Sequence, residues 1–131
     1  MKRQFLLLLT FFMLSGIAFA QTAEKDSIRV ISIEKFEKMS AKKKNMLVDV
    51  RTPEEVSEGQ LAGAVNINFL GENFSSEIQK LNKNKTYLLY CRSGSRTRRA
   101  ADQMQKAGFK KVYMLEGGIT AWKEAGKPIE K

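Results

Sequence analysis

The chain has 131 residues, a formal net charge of +9, no histidine and one cysteine. The missing histidine excludes Cys-His proteases, Ser-His hydrolases and His-ligated metal sites, and a lone cysteine excludes an intramolecular disulfide. The positive charge favours anionic partners over neutral ones.

Taken in order, the chain opens with Met1-Lys2-Arg3, an apolar stretch over residues 5–17 and Ala18-Phe19-Ala20. A basic start, an apolar core and a small-x-small site are the parts of a secretory signal, so residues 1–20 are expected to be removed ahead of Gln21. The apolar stretch is short for a span of roughly 20 residues, and Thr10, Ser15 and Gly16 dilute it. No cysteine stands at the cleavage site to carry a lipid. The expectation is an exported protein, periplasmic or secreted, with no stable membrane anchor after cleavage. Export argues against nucleic acid as the anionic partner and leaves small anions or an acidic protein. Residues 21–27 read as a flexible polar lead-in, and residues 28–131 as one domain.

Within that domain, residues 28–31 form a short β-prone run. Ser32 offers an N-cap to a helix over residues 33–39, where Ile33, Phe36 and Met39 repeat at helical spacing. A basic connector, residues 41–45, leads to residues 46–50. These are nearly all apolar, as in a strand buried on both faces of a parallel sheet. Thr52-Pro53-Glu54-Glu55 reads as a helix start, with Thr at N-cap, Pro at N1 and Glu at N3 to complete a capping box, and Gly59 ends that short helix. Residues 63–67 read as another strand and residues 72–81 as a helix with Phe74, Ile78 and Leu81 on one face. A strand over residues 86–90 is followed by a helix from about Thr97 to Ala107, with Gly108 as its terminator. The last strand covers residues 111–115, and a short helix over residues 119–125 carries Trp122 and stops at Gly126 and Pro128. Alternating strands and helices predict an α/β fold around a mainly parallel sheet, with ligands bound at the carboxyl ends of its strands. Cys91 lies at such an end, and so do residues 49–52.

The segment Cys91-Arg92-Ser93-Gly94-Ser95-Arg96 joins a strand to a helix. If it curls around the sulfur, its N–H groups converge there, the following helix adds the positive end of its dipole, and Arg92 and Arg96 add full charges. Gly94 allows a backbone conformation that other residues resist. Each of these features favours the thiolate without a histidine base. The same cradle would hold a second anion beside the sulfur. Tyrosine-type phosphatases need five residues between cysteine and arginine, whereas four separate Cys91 from Arg96. The tighter loop suits one sulfur atom better than a phosphoryl group.

Three stretches together resemble the single-domain rhodanese family of sulfurtransferases, and they span most of residues 32–128. Residues 47–55 are similar to an early Asp-x-Arg-x-x-x-Glu signature, residues 90–96 to the six-residue active-site loop, and residues 108–122 to a C-terminal signature ending on Trp122. The resemblance implies a three-layer rhodanese-like domain with helices on both faces of the sheet. It implies Cys91 as a nucleophile that takes a sulfane sulfur from a small anionic donor such as thiosulfate. The sulfur is held as a persulfide and passed to a thiol or protein acceptor, without cofactor or metal. Arg92, Ser93, Gly94, Ser95 and Arg96 would bind the donor and cradle the sulfur, while Asp49 and Arg51 would support the site. A non-catalytic persulfide-carrying or interaction module is the alternative. Where the family often has Gly-His-Ile-Pro-Gly, this chain has Gln60 and Ala62 in place of the histidine and proline, which bears on local rigidity. Trp122 is expected to pack in the core.

Overall fold

A computed structural model describes residues 29–131; the leader and lead-in expected over residues 1–27 lie outside the described residues. The described chain runs β1 (Arg29–Ile31), α1 (Ile33–Ser40), β2 (Met46–Asp49), α2 (Pro53–Ser57), β3 (Val65–Asn66), α3 (Phe74–Gln79), β4 (Thr86–Tyr90), α4 (Ser95–Lys106), β5 (Lys111–Leu115) and α5 (Gly118–Glu124). The strands form one sheet in the order β1-β5-β4-β2-β3, and every pairing is parallel. β4 is central, which matches its uninterrupted apolar composition.

Alternate residues of the strands feed two cores, one on each face. On one side Val48, Tyr87, Leu89, Val112 and Met114 pack with Phe74 and Ile78 of α3 and with Ala100, Ala101 and Met104 of α4. On the other, Leu47, Leu88, Tyr90 and Leu115 pack with Phe36 of α1 and with Ile119 and Trp122 of α5. This is the expected three-layer arrangement. Trp122 is buried in the second core, edge-on to Phe36 with ring centres 6.4 Å apart, and its indole N–H donates to the carbonyl of Pro128 at 2.9 Å. It is a packing residue, as the sequence predicts. Among the described residues no helix is long and apolar enough to cross a membrane.

Local chemistry explains most boundaries. The Ser32 hydroxyl accepts from the Lys35 amide at 3.2 Å and starts α1. The capping box at Thr52 and Glu55 forms in both directions, with Pro53 at the first helical position. Two elements are shorter than predicted by more than one residue. β3 is only two residues long at the edge of the sheet, although the amides of Ile67 and Phe69 continue to bond Asp49 and Val50 beyond it. α3 spans Phe74–Gln79 because Lys80 and Leu81 close it with tighter bonds to Glu77 and Ile78. The backbone of Gln60 exchanges two 2.7 Å hydrogen bonds with Glu130, so this turn is pinned by the C-terminal tail.

Candidate active site

Cys91 is the residue after β4 and is 1% exposed. Its Sγ accepts a hydrogen bond from the Gly94 amide at 3.1 Å. Gly94 caps α4 with φ at +126°, a conformation a side chain would strain, and the helix begins at Ser95 rather than Thr97. The first intrahelical bond of α4 runs from the Arg98 amide to the Gly94 carbonyl at 3.1 Å. The N–H groups of Ser95, Arg96 and Thr97 therefore have no acceptor within the helix, and this end of α4 abuts the sulfur-bearing loop.

The loop is held from behind by α5. The amides of Ile119 and Thr120 donate to the carbonyls of Cys91 and Arg92 at 2.9 and 3.1 Å. Gly118 sits so close that an added Cβ would lie 2.5 Å from the Arg92 oxygen, and its φ is +63°. Gly118 thus serves close backbone contact with the cysteine loop, while Gly117, with φ at +72°, faces Ala121 inside α5.

Arg92 and Arg96 part company. The Arg96 guanidinium makes a two-pronged pair with Glu55, Nη1 to Oε2 at 2.6 Å and Nη2 to Oε1 at 2.8 Å. Glu55 Oε2 also accepts from the amide and hydroxyl of Thr52, each at 3.1 Å. The Arg96 pair brings the Glu55 carboxyl down from 4.5 to about 2 against the opposing effect of burial, and Glu55 in turn holds Arg96 above its ordinary value. Any anion at Arg96 must share it with Glu55. Arg92 is exposed and makes no ion pair among the described residues. It lines a cleft of about 480 Å³ in which Arg51, Arg92 and Lys123 face the carboxylates Glu55, Glu58 and Glu124. Ser93 and Ser95 are exposed at the outer rim of the loop.

Asp49 and Arg51 lie beneath the loop at the end of β2, 0% and 4% exposed. Arg51 Nη2 meets Asp49 Oδ2 at 2.8 Å and Nε meets Oδ1 at 3.0 Å, while Nη2 also reaches the Gly59 carbonyl at 2.6 Å. Burial opposes the Arg51 charge, but the Asp49 hydrogen bonds and charge outweigh it and leave the guanidinium raised. Arg51 stands 5.7 Å from the centre of the Tyr90 ring. The Tyr90 hydroxyl accepts from the Leu61 amide at 3.0 Å, and burial, with the Asp49 carboxylate second, pushes this phenol far up. The pair ties the end of β2 to the Gly59 turn and lies against Tyr90, the residue before Cys91. Among the described residues there is no cluster of three potential metal ligands.

Sequence reasoning assigned Glu55 to its capping box and missed its second task. The signal was present in the Asp-x-Arg-x-x-x-Glu spacing, but the partner Arg96 is 41 residues away. Thr97 was also missed: it is 1% exposed, and its hydroxyl finds no partner.

Residues 32–125 match the Rhodanese-like domain family. A protein of Allochromatium vinosum named Sulfurtransferase is 33% identical over 84 residues, covering 64% of this chain and 77% of its own length. The thiosulfate sulfurtransferase GlpE of Shewanella oneidensis is 30% identical over 99 residues, covering 76% and 96%. Among solved structures, a rhodanese-related protein from Thermoplasma volcanium is 27% identical with a TM-score of 0.69, covering 78% of this chain and 97% of that one.

Proposed function

This chain belongs to the rhodanese-like domain family, and from that membership we propose that it is a sulfurtransferase carrying sulfane sulfur on Cys91. The carrying observation is the Cys91 sulfur, the only one of its kind in the chain, receiving the Gly94 amide beside three helix-start amides that have no intrahelical acceptor. In the first half-reaction the Cys91 thiolate attacks the outer sulfur of thiosulfate. A new S–S bond forms, the sulfur–sulfur bond of the donor breaks, and sulfite leaves with the electron pair. The persulfide anion then sits where the amides of residues 94–97 can neutralise it. In the second half-reaction a thiophilic acceptor, cyanide in an assay or a thiol in the cell, attacks that outer sulfur and returns the Cys91 thiolate. Two half-reactions through one covalent intermediate give ping-pong kinetics.

The side chains divide this work. Arg92 faces open solvent at the cleft and meets the anionic donor. Ser93 and Ser95, on the other side of the loop, leave the sulfur-bearing turn uncrowded and open to solvent. Arg96, locked by Glu55, holds the loop in its curled form and adds positive charge near the sulfur. Asp49 and Arg51 keep the end of β2 in register below. The test is thiosulfate:cyanide transfer by the wild type and by Cys91→Ser. Thiocyanate formation that disappears in the variant, with a sulfur-sized mass increment on Cys91 after thiosulfate alone, is expected. Wild-type turnover equal to that of Cys91→Ser sinks the enzyme reading. Export belongs to the same proposal: protein recovered from its native compartment should begin at Gln21, and an intact Met1 there overturns it.

A further inference from the structure

The start of α4 is loaded with cations. Its first five residues include Arg96, Arg98 and Arg99, and its first turn holds no acidic residue. Positive charge at a helix N-terminus opposes the helix dipole. Glu55 offsets Arg96, and Arg99 lies over the Phe69 ring at 5.0 Å. Arg98 is exposed and has no ion-pair partner among the described residues. A local rule broken without local compensation points to a partner outside the chain.

Arg98 and Arg99 form one bank of a groove of about 490 Å³ that runs along the outer face of the cysteine loop at Gly94. Its apolar lining is Val30 of the edge strand β1, 49% exposed, above the buried Met114 and Leu115 of β5. Glu116 is the one carboxylate in the lining. A small donor anion needs neither the arginine bank nor the apolar lining. A protein chain approaching the loop meets both, with carboxylates drawn to α4 and away from Glu116, and an apolar side chain against Val30.

We infer that this groove receives a protein sulfur acceptor whose cysteine is flanked by acidic and apolar side chains. The inference rests on the sulfurtransferase reading. The acceptor thiolate attacks the outer sulfur of the Cys91 persulfide, the S–S bond to Cys91 breaks, Cys91 leaves as thiolate and the acceptor becomes the persulfide. Full-length protein is loaded with thiosulfate and offered two peptides, each with one cysteine between leucines, flanked in one by aspartates and in the other by lysines. The aspartate peptide should be persulfidated about tenfold faster, and the preference should fade at about 1 M salt, where charges are screened beyond about 3 Å. The ratio of the two rates should invert in Arg98→Glu/Arg99→Glu and shrink in Val30→Glu. Because the readout is a ratio within one enzyme, a change in basal turnover does not disturb it. Transfer to cyanide with equal rates for the two peptides overturns the groove while leaving the enzyme intact. A preference untouched by the arginine changes also overturns it, as does one that emerges only after removal of residues 1–28, which would make the chain's own N-terminal segment the occupant. Transfer to neither cyanide nor peptide sinks both readings.

Discussion

A methyl group on residue 118 would lie 2.5 Å from the Arg92 oxygen and 2.6 Å from the Cys91 oxygen, both of them backbone atoms that cannot rotate away. Gly118→Ala must therefore push the cysteine loop off α5 as well as strain φ at +63°. The expected cost is about 2 kcal/mol or more in urea denaturation, within the range for an over-determined backbone site. Sulfur transfer should fall by about tenfold or more, because misplacing the reacting sulfur by an ångström is that damaging. A variant with wild-type stability and turnover would mean that the close contact is idle. Thr97 gives the opposite prediction. Its buried hydroxyl has no partner, so it gains nothing from the protein and forfeits its hydration. Thr97→Val should stabilise the fold by about 1 kcal/mol. A loss of stability would show that the hydroxyl is satisfied, by an ordered water or by the loaded sulfur.

The helices α2 and α4 are tied through one carboxylate, and that tie is sensitive to acid. Glu55 has its ordinary value of 4.5 in the unfolded chain and about 2 in the folded one. A lowered value stabilises the fold fully above pH 4.5, and the contribution is lost as pH falls toward about 2. Both side chains are partly open to solvent, 18% for Arg96 and 26% for Glu55, so the contribution is about 1 kcal/mol. Glu55→Gln should show less loss of stability than the wild type across that window, measured by denaturation at successive pH values. Parallel curves would mean the pair is unmade in solution. This tie also marks how far the sequence could be read. The capping box, the Ser32 cap and the β2 and β4 strands were legible because their causes are local: cap chemistry within four residues and unbroken apolar runs. The placement of Cys91 between β4 and α4 was legible because an apolar run of strand length precedes it and a helix-forming run follows. The Arg96–Glu55 pair, the Gly118 contact and the two-residue β3 depend on segments distant in sequence, and no local pattern encodes a contact made only when the sheet has assembled. The start of α4 at Ser95 was missed for a smaller reason, since Gly94 acts as the cap where no side chain does.

At the scale of the whole molecule, the last residues close a circuit back to the site. After α5, Pro128 accepts the Trp122 indole N–H, Lys127 pairs with Glu37 of α1 at 3.2 Å, and Glu130 exchanges two backbone bonds with Gln60. Ile129 packs against the second core, 3.0 Å from where a Cβ on Gly59 would stand. Gly59 in turn offers its carbonyl to Arg51, and Arg51 holds Asp49 at the floor of the site. Removing residues 127–131 would leave the buried indole unpaired and free the turn at residues 59–61. Four hydrogen bonds at about 1 kcal/mol each, the Lys127 amide to the Trp122 carbonyl among them and one from the buried indole, set the expected loss at about 4 kcal/mol, and the solvent-open Lys127–Glu37 pair adds little. In a domain of this size that lowers Tm by more than about 10 °C. Turnover well below the new Tm should fall only a few-fold, since the tail acts on Cys91 through Gly59, Arg51 and Asp49 rather than by contact. Glu130→Ala separates the tail's backbone from its side chains. The bonds to Gln60 are main-chain bonds, so this exposed substitution should stay within about 0.5 kcal/mol of the wild type. If Glu130→Ala destabilises as much as the truncation, the carboxylate and not the strand-like pairing holds the tail, and the circuit through Gly59 to Arg51 loses its first link.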